Sequence, residues 1–164
     1  MTSGTCDLVH FNLAMARYPL DHPGMEGFTR QLTEVNKLAE GSPGFLWTPA
    51  GDEAGDAVAA FGSPLVLANI STWRSLEDLR RFVYDGLHGS ALRRRREWFD
   101  PLPGPPYVLW WSPAGSRPNW SEAKTRREHF MMNCPTPMAF TFSDPFNSSG
   151  EPPQSLIPNP DRCL

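Results

Sequence analysis

The sequence predicts an α+β fold with the ferredoxin-like element order β-α-β-β-α-β, an antiparallel sheet and an extra C-terminal helix. Two patterns indicate this order. Four short stretches alternate in hydrophobicity or form brief apolar runs, as strands do, and the segments after the first and third carry apolar residues three and four positions apart, as helices do. A chain of 164 residues with 40% hydrophobic content is long enough for one core.

The elements of the first half are predicted from local patterns. Residues 8–13 alternate, with Val9, Phe11 and Leu13 on one face and Leu8, His10 and Asn12 on the other, which is typical of a strand. Residues 23–40 have helical periodicity, with proline at the start and glycine just after the end. Residues 44–48 and 65–71 are short apolar runs that predict the second and third strands.

A second helix is predicted to begin after Ser75, which has the side chain of an N-cap residue. Gly86 and Gly89 should bracket a kink around His88 before the helix resumes through Trp98.

The remaining elements follow a proline-rich turn. Residues 107–112 predict the fourth strand, and Asn119 caps a third helix that ends near Asn133. We predict one domain over residues 1–146 and an irregular tail over 147–164, which is rich in proline and serine.

Polar residues of the strands share one face of the predicted sheet. In the first strand Leu8, His10 and Asn12 point to the same side, and in the third strand Asn69 and Ser71 join them. We expect the opposite, apolar face to pack against the helices and the polar face to meet a partner.

Composition excludes several classes of function. A net charge of −3 gives no basic surface for nucleic acid. Neither a membrane span nor a signal peptide is visible, so we predict a cytoplasmic protein. The three cysteines are few and widely spaced, and we interpret them as thiols. No nucleotide or metal motif occurs, so we predict no metal and no cofactor, with haem as the one cofactor left open.

Three segments carry a resemblance to a known family: His88 with residues 93–99, residues 109–115, and residues 135–142. Together they resemble DUF3291, a family of unknown function in the dimeric α/β-barrel superfamily. The resemblance implies a homodimer whose two sheets meet face to face, and a cavity between sheet and helices or beneath loops. Related barrels are similar to cofactor-free monooxygenases, cyclases, isomerases, dehydratases and haem-handling proteins, so the fold does not select one reaction.

Two positions depart from the family pattern. His10 stands where glutamine is more usual, and Arg127 stands where an apolar residue is usual. Both differences indicate either a task specific to this chain or a shifted third helix.

His88 is the leading candidate for an acid or base, since a histidine exchanges protons near neutral pH. The alternative is a histidine that only kinks the helix. His10 is the second catalytic candidate, and its polar neighbours could orient a carbonyl or enolate. An equal alternative is that these residues form a polar dimer interface bridged by water. The predicted substrate-binding residues are Asn12, Asn69, Ser71, Trp47, Trp98, Trp110, Trp111, Tyr84 and Arg96.

The sequence therefore predicts a cofactor-independent enzyme for an apolar, oxygenated metabolite, of the cyclase, isomerase or dehydratase type. A cofactor-independent monooxygenase is one alternative. A haem or small-molecule binding protein without catalysis is the other.

Overall fold

The computed structural model describes residues 5–50, 57–58, 60–85 and 93–152. These residues form the α+β fold that the sequence predicts. The elements are β1 (Cys6–Ala16), α1 (Glu26–Glu40), β2 (Phe45–Trp47), β3 (Val66–Trp73), α2 (Leu76–Tyr84), β4 (Phe99–Asp100), β5 (Tyr107–Pro113) and α3 (Trp120–Asn133).

The five strands form one antiparallel sheet around β1. Strands β3 and β5 pair with the two edges of β1, and β2 pairs with the outer edge of β3. The two-residue strand β4 pairs with the last residues of β1, beyond the end of β5. Apart from β4, which is too short to leave a periodic pattern, this is the ferredoxin-like arrangement that we predicted.

Helices α1 and α2 lie on the face opposite to the one we predicted, whereas α3 packs on the predicted apolar face. Side chains of α1 and α2 pack on the face that carries Leu8 and Leu67, which we call the polar face. The other face, with Phe11 and Ile70, packs against α3 and against Ala57, Ala60 and Phe61. The alternation along each strand was predicted correctly. The face that α1 and α2 cover was predicted wrongly. Helix α2 packs over Leu8, and that leucine has no exposed surface.

The segment after α3 closes the far end of the polar face. Phe140 is completely buried and forms an antiparallel bridge with Leu109 of β5. Further along, the carbonyl of Phe146 accepts a hydrogen bond from the Trp111 indole nitrogen at 2.8 Å. Residues up to Phe146 therefore belong to the core.

The predicted helix caps are confirmed. The Ser75 hydroxyl accepts from the Asp78 backbone at 3.1 Å, and the Asn119 side chain accepts from the Glu122 backbone at 2.8 Å. The segment before Trp98 differs from the prediction, because Arg95–Glu97 is a 3-10 turn rather than a resumed α-helix.

Arg127 has a structural partner that explains its position on α3. Its guanidinium donates to the carbonyls of Pro105, at 3.0 Å, and Pro103. Burial lowers the pKa of Arg127, and the charge of Glu128 opposes that shift. The arginine thus secures the proline-rich turn between β4 and β5.

Two further findings concern the chain as a whole. Cys134 is disulfide-bonded, which corrects our interpretation of that cysteine as a thiol, whereas Cys6 is a free thiol as predicted. Widely spaced cysteines give no local signal of such pairing. Among the described residues, no helix is long and apolar enough to span a membrane.

Candidate functional site

The polar face of the sheet is built from three rows of side chains across β3, β1 and β5. The first row, Trp73–Leu8–Trp111, is aromatic and apolar. The next two rows are Ser71–His10–Leu109 and Asn69–Asn12–Tyr107. Directly opposed residues in antiparallel strands have Cβ atoms about 4.5–5.5 Å apart, so the polar side chains form one continuous patch. The nine side chains of these rows include no carboxylate, lysine or arginine.

His10 lies at the centre of the patch. It is only 7% exposed, and its ring meets the edge of the Tyr107 ring with the centroids 5.9 Å apart. A buried histidine between strands β3 and β5 has a fixed ring orientation, which acid–base chemistry requires. His10 and Asn12, two of the predicted site residues, are therefore brought together with Tyr107.

Asn12 contributes a buried acceptor without a donor. Its side-chain oxygen Oδ1 is inaccessible to solvent and has no hydrogen-bond partner among the described residues. Buried amide oxygens are nearly always satisfied, because an unpaired one costs about 1–3 kcal/mol. The exception at Asn12 is one that a bound molecule would remove.

Tyr107 was not among the predicted site residues. Burial raises the pKa of its phenol, a hydrogen bond from the Phe142 backbone N–H lowers it, and the nearby Tyr84 phenol raises it. The Phe142 N–H donates to the phenol oxygen at 3.2 Å. The phenol is therefore neutral near pH 7, and it also hydrogen-bonds the side chains of Tyr84 and Thr141.

Helix α1 covers the polar face loosely. Phe28 packs against Trp98 and Phe99, but no residue of α1 itself is fully buried. Gln31 is one helical turn after Phe28, and its Oε1 is a second buried side-chain oxygen without a partner. Strand β1 and helix α1 thus each carry a buried side-chain oxygen without a hydrogen-bond partner among the described residues.

The other predicted residues divide between several locations. Ser71 is buried and accepts a hydrogen bond from the Trp73 indole at 2.9 Å, so its hydroxyl is partly committed. Asn69 is exposed at the end of its row, next to Thr48. Tyr84 is half exposed at the end of α2, beside Phe142.

The tryptophans do not form one wall. Trp111 lies at one end of the polar face, and Trp98 lies at the other end under α1. Trp47 and Trp110 are on the opposite face, where Arg117 and Arg126 stack over their respective rings. Trp110 and Trp111 are neighbours in β5 and point to opposite faces of the sheet, so only Trp111 reaches the polar face.

Arg96 and His88 complete the predicted set. Arg96 is exposed in the 3-10 turn. His88 lies outside the described residues, in the unassigned stretch 86–92 that follows α2. Its role stays a prediction.

The outer surface of α3 carries a concave region. It is an open groove between Ser121, Thr125, His129 and Met138, and its arginine, Arg126, is already paired with Glu122 at 3.1 Å. It is a weaker candidate than the polar face, because it is open to solvent and none of its polar side chains is buried without a partner. Among the described residues, no group of three or more His, Cys, Asp or Glu side chains could hold a metal ion.

A family model decides the classification: a domain of unknown function, DUF3291, matches residues 7–155. The chain belongs to the DUF3291 family. No curated protein matches its sequence significantly.

Solved structures similar to this DUF3291 protein are distant. A protein of unknown function from Nitrosomonas europaea, NE2512, has 10% identity and a TM-score of 0.43 over 70% of this chain and 94% of its own. A proposed antibiotic biosynthesis monooxygenase from the same organism has 9% identity and a TM-score of 0.46 over 70% and 95%. PA3566 from Pseudomonas aeruginosa has 13% identity and a TM-score of 0.44 over 67% and 95%.

Sequence reasoning missed Tyr107 and Gln31 of this DUF3291 chain. Tyr107 begins β5, and the register that sets it opposite Asn12 could not be read from periodicity alone. Gln31 sits among apolar residues on the inward side of α1, and a polar residue in such a stripe was the available signal.

Proposed function

We propose that this DUF3291 protein is a small-molecule enzyme that moves protons on a neutral, mostly apolar, oxygenated metabolite without a cofactor. The observation that carries the proposal is the uncharged polar patch beneath the helices, in which Asn12 Oδ1 has no partner among the described residues. A ligand pocket combines apolar walls with a few convergent polar groups, and the rows around His10 have that composition.

The proposed reaction class is enolisation followed by isomerisation, cyclisation or elimination. A histidine nitrogen takes the proton from the carbon next to a carbonyl, the electron pair of that C–H bond forms the C=C bond, and the carbonyl oxygen becomes the enolate. The proposed donor to the developing oxyanion is the neutral Tyr107 phenol, which would exchange its present hydrogen bonds with Tyr84 and Thr141 for one to the substrate. His10 and His88 are the two proposed proton carriers.

Aromatic ketones test the proposal directly. Incubating wild type with 5-hydroxy-1-tetralone and 2-tetralone in D₂O should exchange the hydrogens next to the carbonyl faster than buffer does, as followed by proton NMR. His10→Ala or His88→Ala should reduce this exchange by roughly a hundredfold to ten-thousandfold if that histidine is the proton carrier. Exchange at the buffer rate with wild type, or equal rates in wild type and both variants, would contradict the proposal.

Glutamine variants separate catalysis from positioning. His88→Gln keeps a hydrogen-bonding side chain but cannot titrate, so it should lose nearly as much exchange activity as His88→Ala. Recovery of most activity in the glutamine variant would assign His88 a positioning role only.

Two measurements separate the other functions. A cofactor-independent monooxygenase consumes dioxygen in proportion to product, whereas the proposed reaction proceeds at the same rate under nitrogen. A haem carrier gives a Soret band on addition of haem, and that band is lost in His88→Ala.

A further inference from the structure

Two buried acceptor oxygens without a partner lie on β1 and α1, two elements that pack together through Ala16 and Phe28. Asn12 Oδ1 on β1 and Gln31 Oε1 on α1 are both buried without a hydrogen-bond partner among the described residues. Asn12 is on the face of β1 that also carries Ala16, against which the α1 region packs. Gln31 follows Phe28 by three residues, so it lies on the side of α1 that packs on this face.

Both oxygens lack a hydrogen-bond donor, and the three rows of side chains on the polar face contain no carboxylate, lysine or arginine. A carboxylate ligand would bring only acceptors and would meet no cation on the three rows of the face. An ammonium ligand would be desolvated without an anion to pair with, which is costly. A hydroxyl supplies a donor without charge.

We infer that the ligand of this site is a neutral, apolar molecule that carries at least one hydroxyl group, a phenol or alcohol, which donates to Asn12. A quinone or an ether of the same shape lacks that donor. This inference deepens the proposed function and rests on the same site, but it concerns binding and not proton transfer.

Two probes of nearly identical shape test the inference. 1-Naphthol has a hydroxyl donor, whereas 1-methoxynaphthalene has an extra methyl group and no donor. The methyl group adds apolar surface, so the hydrophobic contribution favours the ether. By calorimetric titration, wild type should nevertheless bind 1-naphthol about tenfold more tightly than the ether, because only the hydroxyl satisfies the buried oxygen.

Two variants test whether Asn12 is responsible for the preference for 1-naphthol. Asn12→Leu removes the acceptor and should reduce the preference for 1-naphthol to less than about twofold, mostly by weakening naphthol binding. Ser116→Ala is the matched control, because Ser116 Oγ is also a buried unpartnered oxygen but lies in the turn between β5 and α3. It should keep the full preference.

Three results would overturn the inference: equal affinity of wild type for both probes, binding of neither, or an equal loss of preference in Ser116→Ala. The comparison on wild type stands even if Asn12→Leu fails to fold. A preserved naphthol preference with no ketone exchange would keep this inference and reject the proposed enzymatic function. Ketone exchange without a preference for 1-naphthol would keep the proposed enzymatic function and reject this inference.

Discussion

At the scale of single residues, the polar face owes its character to neutral side chains in fixed positions. Tyr107 is held by the Phe142 backbone N–H and by contact with the His10 ring. Arg127 is held by two proline carbonyls on the other side of the molecule. Neither role can be read from residue type, since an exposed tyrosine or arginine has the same letter in the sequence.

Tyr107 should make the protein sensitive to alkaline pH. The unfolded phenol ionises near pH 10, whereas burial keeps the folded phenol protonated to higher pH. The buried, protonated Tyr107 phenol therefore makes its full contribution to stability below about pH 10, and this contribution is lost as pH rises through the pKa of the folded state. Urea unfolding between about pH 9 and pH 11 should show this decline in wild type and a smaller one in Tyr107→Phe. Parallel profiles would contradict it.

Arg127→Met should destabilise the fold by about 1–3 kcal/mol, because the proline turn loses two charge-assisted hydrogen bonds. The control is Arg81→Met. Arg81 is an exposed helical arginine with a weak ion pair to Glu77, and its loss should cost less than about 0.5 kcal/mol. Equal changes in the urea midpoint would indicate that the turn does not depend on Arg127.

At the scale of elements, alternation and capping residues predicted most of the strands and helices. The strand periodicity of β1 placed His10 and Asn12 on one face, and the caps at Ser75 and Asn119 fixed two helix starts. Which face each helix covers was not predictable, because both sheet faces carry apolar residues and the choice depends on long-range packing. The segment after α3 was included in the predicted domain, but its pairing with β5 was not predictable for the same reason.

Substituting Phe140 measures how much the segment after α3 contributes to the stability of the core. It is completely buried, so Phe140→Ala should cost about 3–5 kcal/mol. Met132→Ala is the control, since Met132 is 82% exposed on α3 and its truncation should be nearly neutral. Similar melting temperatures for both variants would show that the segment is dispensable.

Replacing Gly44 by alanine tests the close contact between the start of β2 and the first turn of α2. Its φ is +82°, and a Cβ there would lie 2.2 Å from Asp78 Oδ2. Gly115 has a similar φ of +77° with nothing within 4 Å. Gly115→Ala should therefore cost only the backbone strain, about 1 kcal/mol, whereas Gly44→Ala should cost clearly more. Equal free energies of unfolding would mean that Asp78 moves away freely.

At the scale of the whole molecule, the sequence argument for a dimer rested on a sheet face without helices. That premise is wrong, because α1 and α2 cover the polar face and α3 covers the other. The homodimer stays a prediction from the family resemblance. Light scattering at micromolar concentration should give twice the chain mass of 18.4 kDa, and a mass of one chain would reject the dimer.

The position of the site between the helices and the polar face is the central claim, and heteronuclear NMR with 1-naphthol tests it most directly. Titration should shift the side-chain amide of Asn12 and the backbone amides around His10 and Tyr107, while Ser121 and Thr125 in the α3 groove stay unchanged. Shifts confined to Ser121 and Thr125, with Asn12 unaffected, would place the ligand on the outer surface of α3 and contradict the claim.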